Sequence, residues 1–131
     1  MNKYLLDTHT YMWWAQVPPV LTFQVQEILE DTDNQLFVSV ASIWEMIIKR
    51  KKGRLTFDEV LLDPSKVYGF KVLSIDLSHV VQIDELDMIP HDPFDRVMLA
   101  QALKEKLTFI TNDAKCLQYT HPELKLLKAG R

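Results

Sequence analysis

The stretch Pro90-His91-Asp92-Pro93-Phe94-Asp95-Arg96-Val97-Met98-Leu99-Ala100-Gln101-Ala102-Leu103, running on through Leu107-Thr108-Phe109-Ile110 to Thr111-Asn112-Asp113, decides how the chain is read. It predicts a loop, a helix, a strand and a second loop. Pro93 suits the first helical turn, where its missing N–H is no loss, and Asp92 is placed to cap that turn. Val97, Leu99, Ala100, Leu103 and Leu107 make the helix mostly apolar, and Leu107 to Ile110 reads as a buried strand. Two carboxylates, Asp92 and Asp95, therefore stand at a helix N-terminus, with a third, Asp113, just past a strand's carboxyl end. In an open α/β sheet, ligands bind outside the carboxyl ends of the strands. Three acids gathered there are costly unless something positive sits between them.

Working outward, the same alternation recurs. Tyr4-Leu5-Leu6 predicts a short buried strand ending in Asp7. Thr8-His9-Thr10 turns the chain into a helix carrying Met12, Trp13 and Trp14, interrupted by Pro18-Pro19. Thr22 can cap a second helix with Val25, Ile28 and Leu29 at helical spacing. Leu36-Phe37-Val38 is a second strand, and Ser39-Val40-Ala41-Ser42 leads into a helix that carries Ile43, Trp44, Met46 and Ile47 and stops at Gly53. A helical segment is expected over 57–70, broken or restarted at Pro64. A third strand follows over 71–75, then a helix over 77–86 with Ser78 near its start. After the fourth strand come a short helical turn over 114–119 and a last weak strand over 124–127. Strands alternating with helices predict a mostly parallel central sheet covered on both faces, a three-layer α/β/α sandwich forming one domain over 1–131.

Composition narrows the function class. The chain has 131 residues, 47% hydrophobic and 25% charged, which is ordinary for a soluble globular domain. No apolar run approaches the roughly 20 residues needed to span a membrane. The first residues enter a strand pattern directly, without a signal peptide's apolar core. A single cysteine, Cys116, excludes an intramolecular disulfide and fits a reducing cytoplasm. With a formal charge of −3, the whole-molecule field does not attract nucleic acid, so such contact would need a local patch or a metal.

The acids suggest the chemistry. Asp7 ends strand one, Glu45 is expected in the first turn of the helix after strand two, Asp95 starts the helix before strand four, and Asp113 follows that strand. Oxygen ligands without paired histidines or cysteines favour hard cations, Mg²⁺ or Mn²⁺. Such an ion can make a bound water nucleophilic and neutralise charge on a phosphodiester without a protein nucleophile. Each acid also has a purely structural reading. Ser42-Ile43-Trp44-Glu45 matches a capping box, as does Asp92-Pro93-Phe94-Asp95. Asp7 could form an Asx turn, and Asp113 could cap a helix. Their joint occurrence at strand ends is what favours a site.

Leu5-Leu6-Asp7-Thr8-His9, Ser42-Ile43-Trp44-Glu45, His91-Asp92-Pro93-Phe94-Asp95-Arg96 with Ala100-Gln101-Ala102, and Thr111-Asn112-Asp113 together resemble the PIN domain, in its VapC-type toxin group. The resemblance covers essentially the whole chain, with four motifs in order. It implies a parallel sheet sandwiched by helices and a Mg²⁺- or Mn²⁺-dependent endoribonuclease that leaves a 5′-phosphate and a 3′-hydroxyl. Carried over, the catalytic and metal-binding acids are Asp7, Glu45, Asp95 and Asp113. Asp95 is preferred to Asp92 because it directly precedes the apolar helix stretch. Asp92 is auxiliary, capping the helix or bonding Arg96, and Thr111 resembles a hydroxyl residue that positions water or metal. The resemblance also implies a homodimer and a cognate antitoxin protein that blocks the site.

Other residues carry weaker signals. Lys49-Arg50-Lys51-Lys52 belongs to the one dense basic run, which either meets RNA phosphates or complements a helix C-terminus. Lys49, one turn after Glu45, is expected nearest the site, with pairing to Glu45 as its alternative. Trp44 is expected in the core, and Trp13 and Trp14 cannot share one helix face, so one of them is expected at the surface or an interface. His9 and His91 neighbour candidate acids and either orient substrate or are structural. Two rivals remain. A haloacid-dehalogenase-like phosphate-accepting domain would want an acid where His9 stands. A non-catalytic PIN-like RNA-binding or scaffolding module would be expected to lack one of the four acids.

Overall fold

A computed structural model describes residues 2–89 and 92–131. Five strands, β1 (Lys3–Leu6), β2 (Gln35–Ser39), β3 (Lys71–Leu73), β4 (Thr108–Thr111) and β5 (Lys125–Lys128), form one sheet in the order β3-β2-β1-β4-β5. Every neighbouring pair is parallel, with Leu5 opposite Phe37 on one side and Phe109 on the other. The helices are α1 (Thr8–Gln16), α2 (Phe23–Glu30), α3 (Val40–Lys51), α4 (Pro64–Tyr68), α5 (Leu77–Gln82) and α6 (Pro93–Glu105).

Successive strand residues point to opposite faces, and both faces are covered. Leu6, Val38 and Ile110 pack with Tyr11 of α1, Val25 and Leu29 of α2 and Met46 of α3. Leu5 and Phe109 pack on the other face against Val97, Met98, Leu99, Ala102 and Leu103 of α6. The chain therefore steps from β1 outward to β3, crosses the sheet through α5 and α6, and resumes at β4 beside β1. That reversal lies between β1 and β4, where a crevice opens at the carboxyl ends of the strands. No helix among the described residues is long and apolar enough to cross a membrane.

Local differences from expectation have local causes. α3 begins directly at the end of β2, because Ser39 itself caps it by accepting from the Ala41 N–H. Glu45 therefore lies in the second turn and not the first, and Ser42 does not form a capping box with it. The expected helix over 57–70 is a 3₁₀ turn (Glu59–Leu62) and the short α4, since Asp58 and Asp63 each cap a new start and Pro64 opens the second. The helix expected over 77–86 is α5 followed by a 3₁₀ turn (Ile83–Glu85). Asp76, not Ser78, caps it, in a reciprocal box with His79. The turn expected over 114–119 is a 3₁₀ turn (Cys116–Gln118). Thr22 caps α2 as expected, and Gly53 takes the left-handed conformation (φ 70°) just past α3. Trp44 is a correction: it is 58% exposed and not in the core, its ring edge-on to Phe94 at 4.8 Å. Trp13 and Trp14 are both half-buried, beside His9 and Tyr68 respectively.

Candidate active site

A cavity at the β1/β4 crevice is lined by Asp7, Thr8, His9, Glu45, Lys49, Asp92, Asp95, Asp113, Ala114 and Lys115. All four acids singled out from the sequence, and Asp92, face this one space. They come from different elements: Asp7 from the β1–α1 junction, Glu45 from α3, Asp92 and Asp95 from the start of α6, and Asp113 from the loop after β4.

Asp7 is both a cap and a lining residue. Its Oδ1 accepts from the Thr10 N–H at 2.7 Å, capping α1, and its Oδ2 accepts from the Thr111 hydroxyl at 2.6 Å. Burial pushes its pKa up, while the bonds from Thr10 and Thr111 pull it down. Asp92 caps α6 through the Phe94 N–H at 2.7 Å. Arg96, a suggested partner of Asp92, sends its guanidinium elsewhere, to the Asp87 and Ile89 carbonyls and the Tyr119 hydroxyl. Asp113 accepts from the Lys115 and Cys116 N–H groups. Asp7, Asp92 and Asp113 thus accept local hydrogen bonds and line the cavity at the same time.

Glu45 is almost fully buried and is met on both oxygens. The Thr8 hydroxyl donates to Oε1 at 2.6 Å and lies 2.9 Å from Ser42 Oγ. Lys49 Nζ stands 2.8 Å from Oε2. Asp95 carries the electrostatic signature of the cavity, its pKa pushed up to about 8 by burial, then by Glu45, Asp92, Asp7 and Asp113. Burial, then Asp95, Asp113 and Asp7, push the Cys116 thiol up, which disfavours its thiolate.

Of the basic run, only Lys49 lines the cavity. Arg50 pairs with Glu59 at 2.7 Å and lies over the Phe57 ring, while Lys51 and Lys52 are exposed at the end of α3. His9 lines the cavity, and His91 lies outside the described residues. Sequence reading gives Thr8, Ser42 and Lys115 no role in the site. Thr8 was within reach, since the residue after a strand-end cap opens a helix at the crevice, but its bond to Glu45 spans chain positions that no local pattern connects.

Among the described residues the lining carries five carboxylates, the Thr8 hydroxyl, His9 and no cysteine, a donor set that suits a hard divalent ion. Burial and the neighbouring carboxylates raise Asp95 to about 8, a setting that would favour a bound divalent cation. Among the described residues, no three acid, histidine or cysteine side chains stand close enough to form a ready-made ligand shell. Mg²⁺ does not need one, because it takes one or two carboxylates and keeps several waters.

The family model of the PIN domain matches residues 4–121. The chain belongs to the PIN domain family. Among curated proteins it is similar to Ribonuclease VapC22 of Mycobacterium tuberculosis (strain ATCC 25618 / H37Rv), 24% identical over 125 residues that cover 93% of this chain and 95% of that protein. Its PIN fold is shared by chains of two solved complexes. One is VapBC2 from Rickettsia felis bound to a DNA fragment from their promoter (TM-score 0.70, 18% identity, covering 97% of this chain and 98% of that one). The other is DNA-bound VapBC from Salmonella typhimurium (TM-score 0.70, 19% identity, 98% of each chain). Within this PIN domain the acids occupy the crevice at which the sheet order reverses.

Proposed function

We propose that this PIN domain is a metal-dependent endoribonuclease, the toxin of a toxin–antitoxin pair, cleaving RNA by hydrolysis of its phosphodiesters in the cytoplasm. The observation that carries the reading is the gathering of Asp7, Glu45, Asp95 and Asp113 in one crevice, with Asp95 held up to about 8. Family membership and the likeness to a protein named as a ribonuclease support the substrate class. The likeness to chains of VapBC complexes supports a cognate antitoxin as partner, and the family resemblance is the ground for proposing a homodimer.

Asp7, Glu45, Asp95 and Asp113 would hold Mg²⁺ or Mn²⁺, which when bound supplies a water of lowered pKa and charge neutralisation at the phosphate. The chain's own groups do the rest. Thr111 fixes Asp7, Thr8 fixes Glu45, and Asp92 sets the start of α6 so that Asp95 faces the cavity. Lys49 and Lys115 place ammonium groups on the cavity wall, where they meet the phosphate oxygens of RNA. Lys51 and Lys52, exposed at the end of α3, extend that positive edge, while Arg50 is held by Glu59. In the reaction, water adds to phosphorus, the bond to the 3′-oxygen breaks, and the products carry a 5′-phosphate and a 3′-hydroxyl.

The test is RNA cleavage by the purified, antitoxin-free protein with Mg²⁺ or Mn²⁺, against EDTA and against Asp7→Asn and Asp95→Asn. Metal-dependent cutting, lowered at least ~100-fold in each variant, is the expected result. RNA binding without cutting, indifferent to EDTA and to both substitutions, would replace the nuclease with a non-catalytic RNA-binding module.

A further inference from the structure

We infer that Lys49 is a built-in counter-ion that competes with the divalent metal for Glu45, so that metal binding must first release its ammonium. This rests on the metal-dependent reading of the site and goes beyond it, because it assigns a positioning residue that acts through Glu45.

The geometry is specific. Glu45 and Lys49 are one turn apart on α3, and their 2.8 Å contact lies on the wall of the acid cavity. The Glu45 side chain is nearly buried whereas that of Lys49 is a third exposed, so the lysine reaches inward from the rim. Its ammonium meets Glu45 Oε2 while the Thr8 hydroxyl donates to Oε1, so both oxygens already have a partner before any metal arrives. A buried carboxylate among other carboxylates needs a positive partner, and here the chain supplies it. A lysine suits this better than an arginine, being a point charge on a flexible stem that exchanges partners without a fork to break. Once the metal takes Oε2, the released ammonium remains at the cavity wall, where it faces substrate phosphate.

Lys115 provides the control. It lines the same cavity and carries the same charge, but no ion pair to Glu45 involves it among the described residues. Lys115 is exposed, so its removal takes a positive charge from the same cavity without unpairing Glu45, whereas removal of Lys49 frees Oε2.

The experiment is Mn²⁺ binding by calorimetry and by the loss of the free-ion paramagnetic resonance signal, without RNA. Wild type, Lys49→Met, Lys115→Met, Glu45→Gln and the Lys49→Met/Glu45→Gln double variant are compared, each first shown to melt cooperatively. Lys49→Met is expected to bind Mn²⁺ about tenfold more tightly than wild type, and Lys115→Met within about twofold of it. In the Glu45→Gln background the Lys49 effect should vanish, the signature of a pairwise coupling. Equal gains in Lys49→Met and Lys115→Met, or a Lys49 effect that persists without Glu45, would overturn the competition while leaving the metal site standing. No Mn²⁺ binding by any variant would overturn the competition and the metal-dependent reading together.

Discussion

At the scale of single residues, the site trades stability for charge. Asp95 sits at the start of a helix, a favourable place for a carboxylate, yet its pKa is pushed up to about 8 by burial and by four other acids. An acid whose pKa is raised on folding binds its proton more tightly in the folded state. Its stabilising protonation is complete below the unfolded value and is lost as pH climbs through about 8. The metal-free protein should therefore weaken from about pH 4 to about pH 8, the interval between the ordinary carboxyl value and the raised one of Asp95. Asp95→Asn removes the charge and keeps the shape. In EDTA the variant should be more stable than wild type at the upper pH, by about 1 kcal/mol, with a flatter dependence on pH. Thermal melts at both pH values check this, and parallel curves for the two proteins would reject it. The cost was visible in the sequence only as three acids around a helix start. The size of the shift was not, since Glu45 and Asp7 reach Asp95 through folding alone.

Elements explain why some motifs were legible and others were not. α6 was, because Pro93 and Asp92 are start signals tied to one position and the apolar run behind them is long. α3 was legible as a helix but not in its start, because Ser39 and Ser42 are both good caps and strand pairing decided for Ser39. The consequence for Glu45 is substantial, since a second-turn glutamate projects from the helix wall into the cavity, where a capping glutamate would turn back on the backbone. Trp44 was misread for a related reason: the edge-on Phe94 ring that gives it a partner comes from α6, far away in the chain. Arg96, read as a possible partner of Asp92, instead ties the segment before α6. Its Nη1 reaches the Asp87 carbonyl at 3.2 Å, the Ile89 carbonyl at 3.3 Å and the Tyr119 hydroxyl at 2.8 Å. Tyr119 in turn donates to the Ile89 carbonyl at 3.1 Å. Arg96→Met should lower stability by about 1–3 kcal/mol, because it strips a charged donor from part-buried carbonyls. Tyr119→Phe should cost about 1 kcal/mol. Both should speed proteolytic cleavage between Asp87 and Pro93, whereas a purely global effect would leave the cleavage pattern as in wild type.

For the whole molecule, the deciding feature is the strand order β3-β2-β1-β4-β5. Asp7 and Thr111 are 104 positions apart, yet β1 and β4 run side by side and bring them to 2.6 Å. Hydrophobic runs predicted five strands and a parallel sheet, but no run states which strands are neighbours. The meeting of the acids is therefore a property of topology, and topology was supplied at the sequence level by resemblance. A parallel sheet closed on both faces is held by its two cores, so the acids at its carboxyl edge are a load that the cores carry. A cation that binds only the folded state should lift that load. At one hundred times its dissociation constant, Mn²⁺ or Mg²⁺ should add about 2.7 kcal/mol to stability, raising the melting temperature by several degrees at neutral pH. Asp7→Asn and Asp95→Asn should each lose most of the shift, whereas Lys52→Ala, on the exposed end of α3, should retain it. The contrast matters more than the size of the shift. A gain shared by all variants would mean that divalent ions act on the surface at large, and the crevice would lose its claim to be the metal centre. A gain confined to proteins with intact Asp7 and Asp95 would connect two residues far apart in the chain to one ion, as the observed order of strands and the placement of α6 allow.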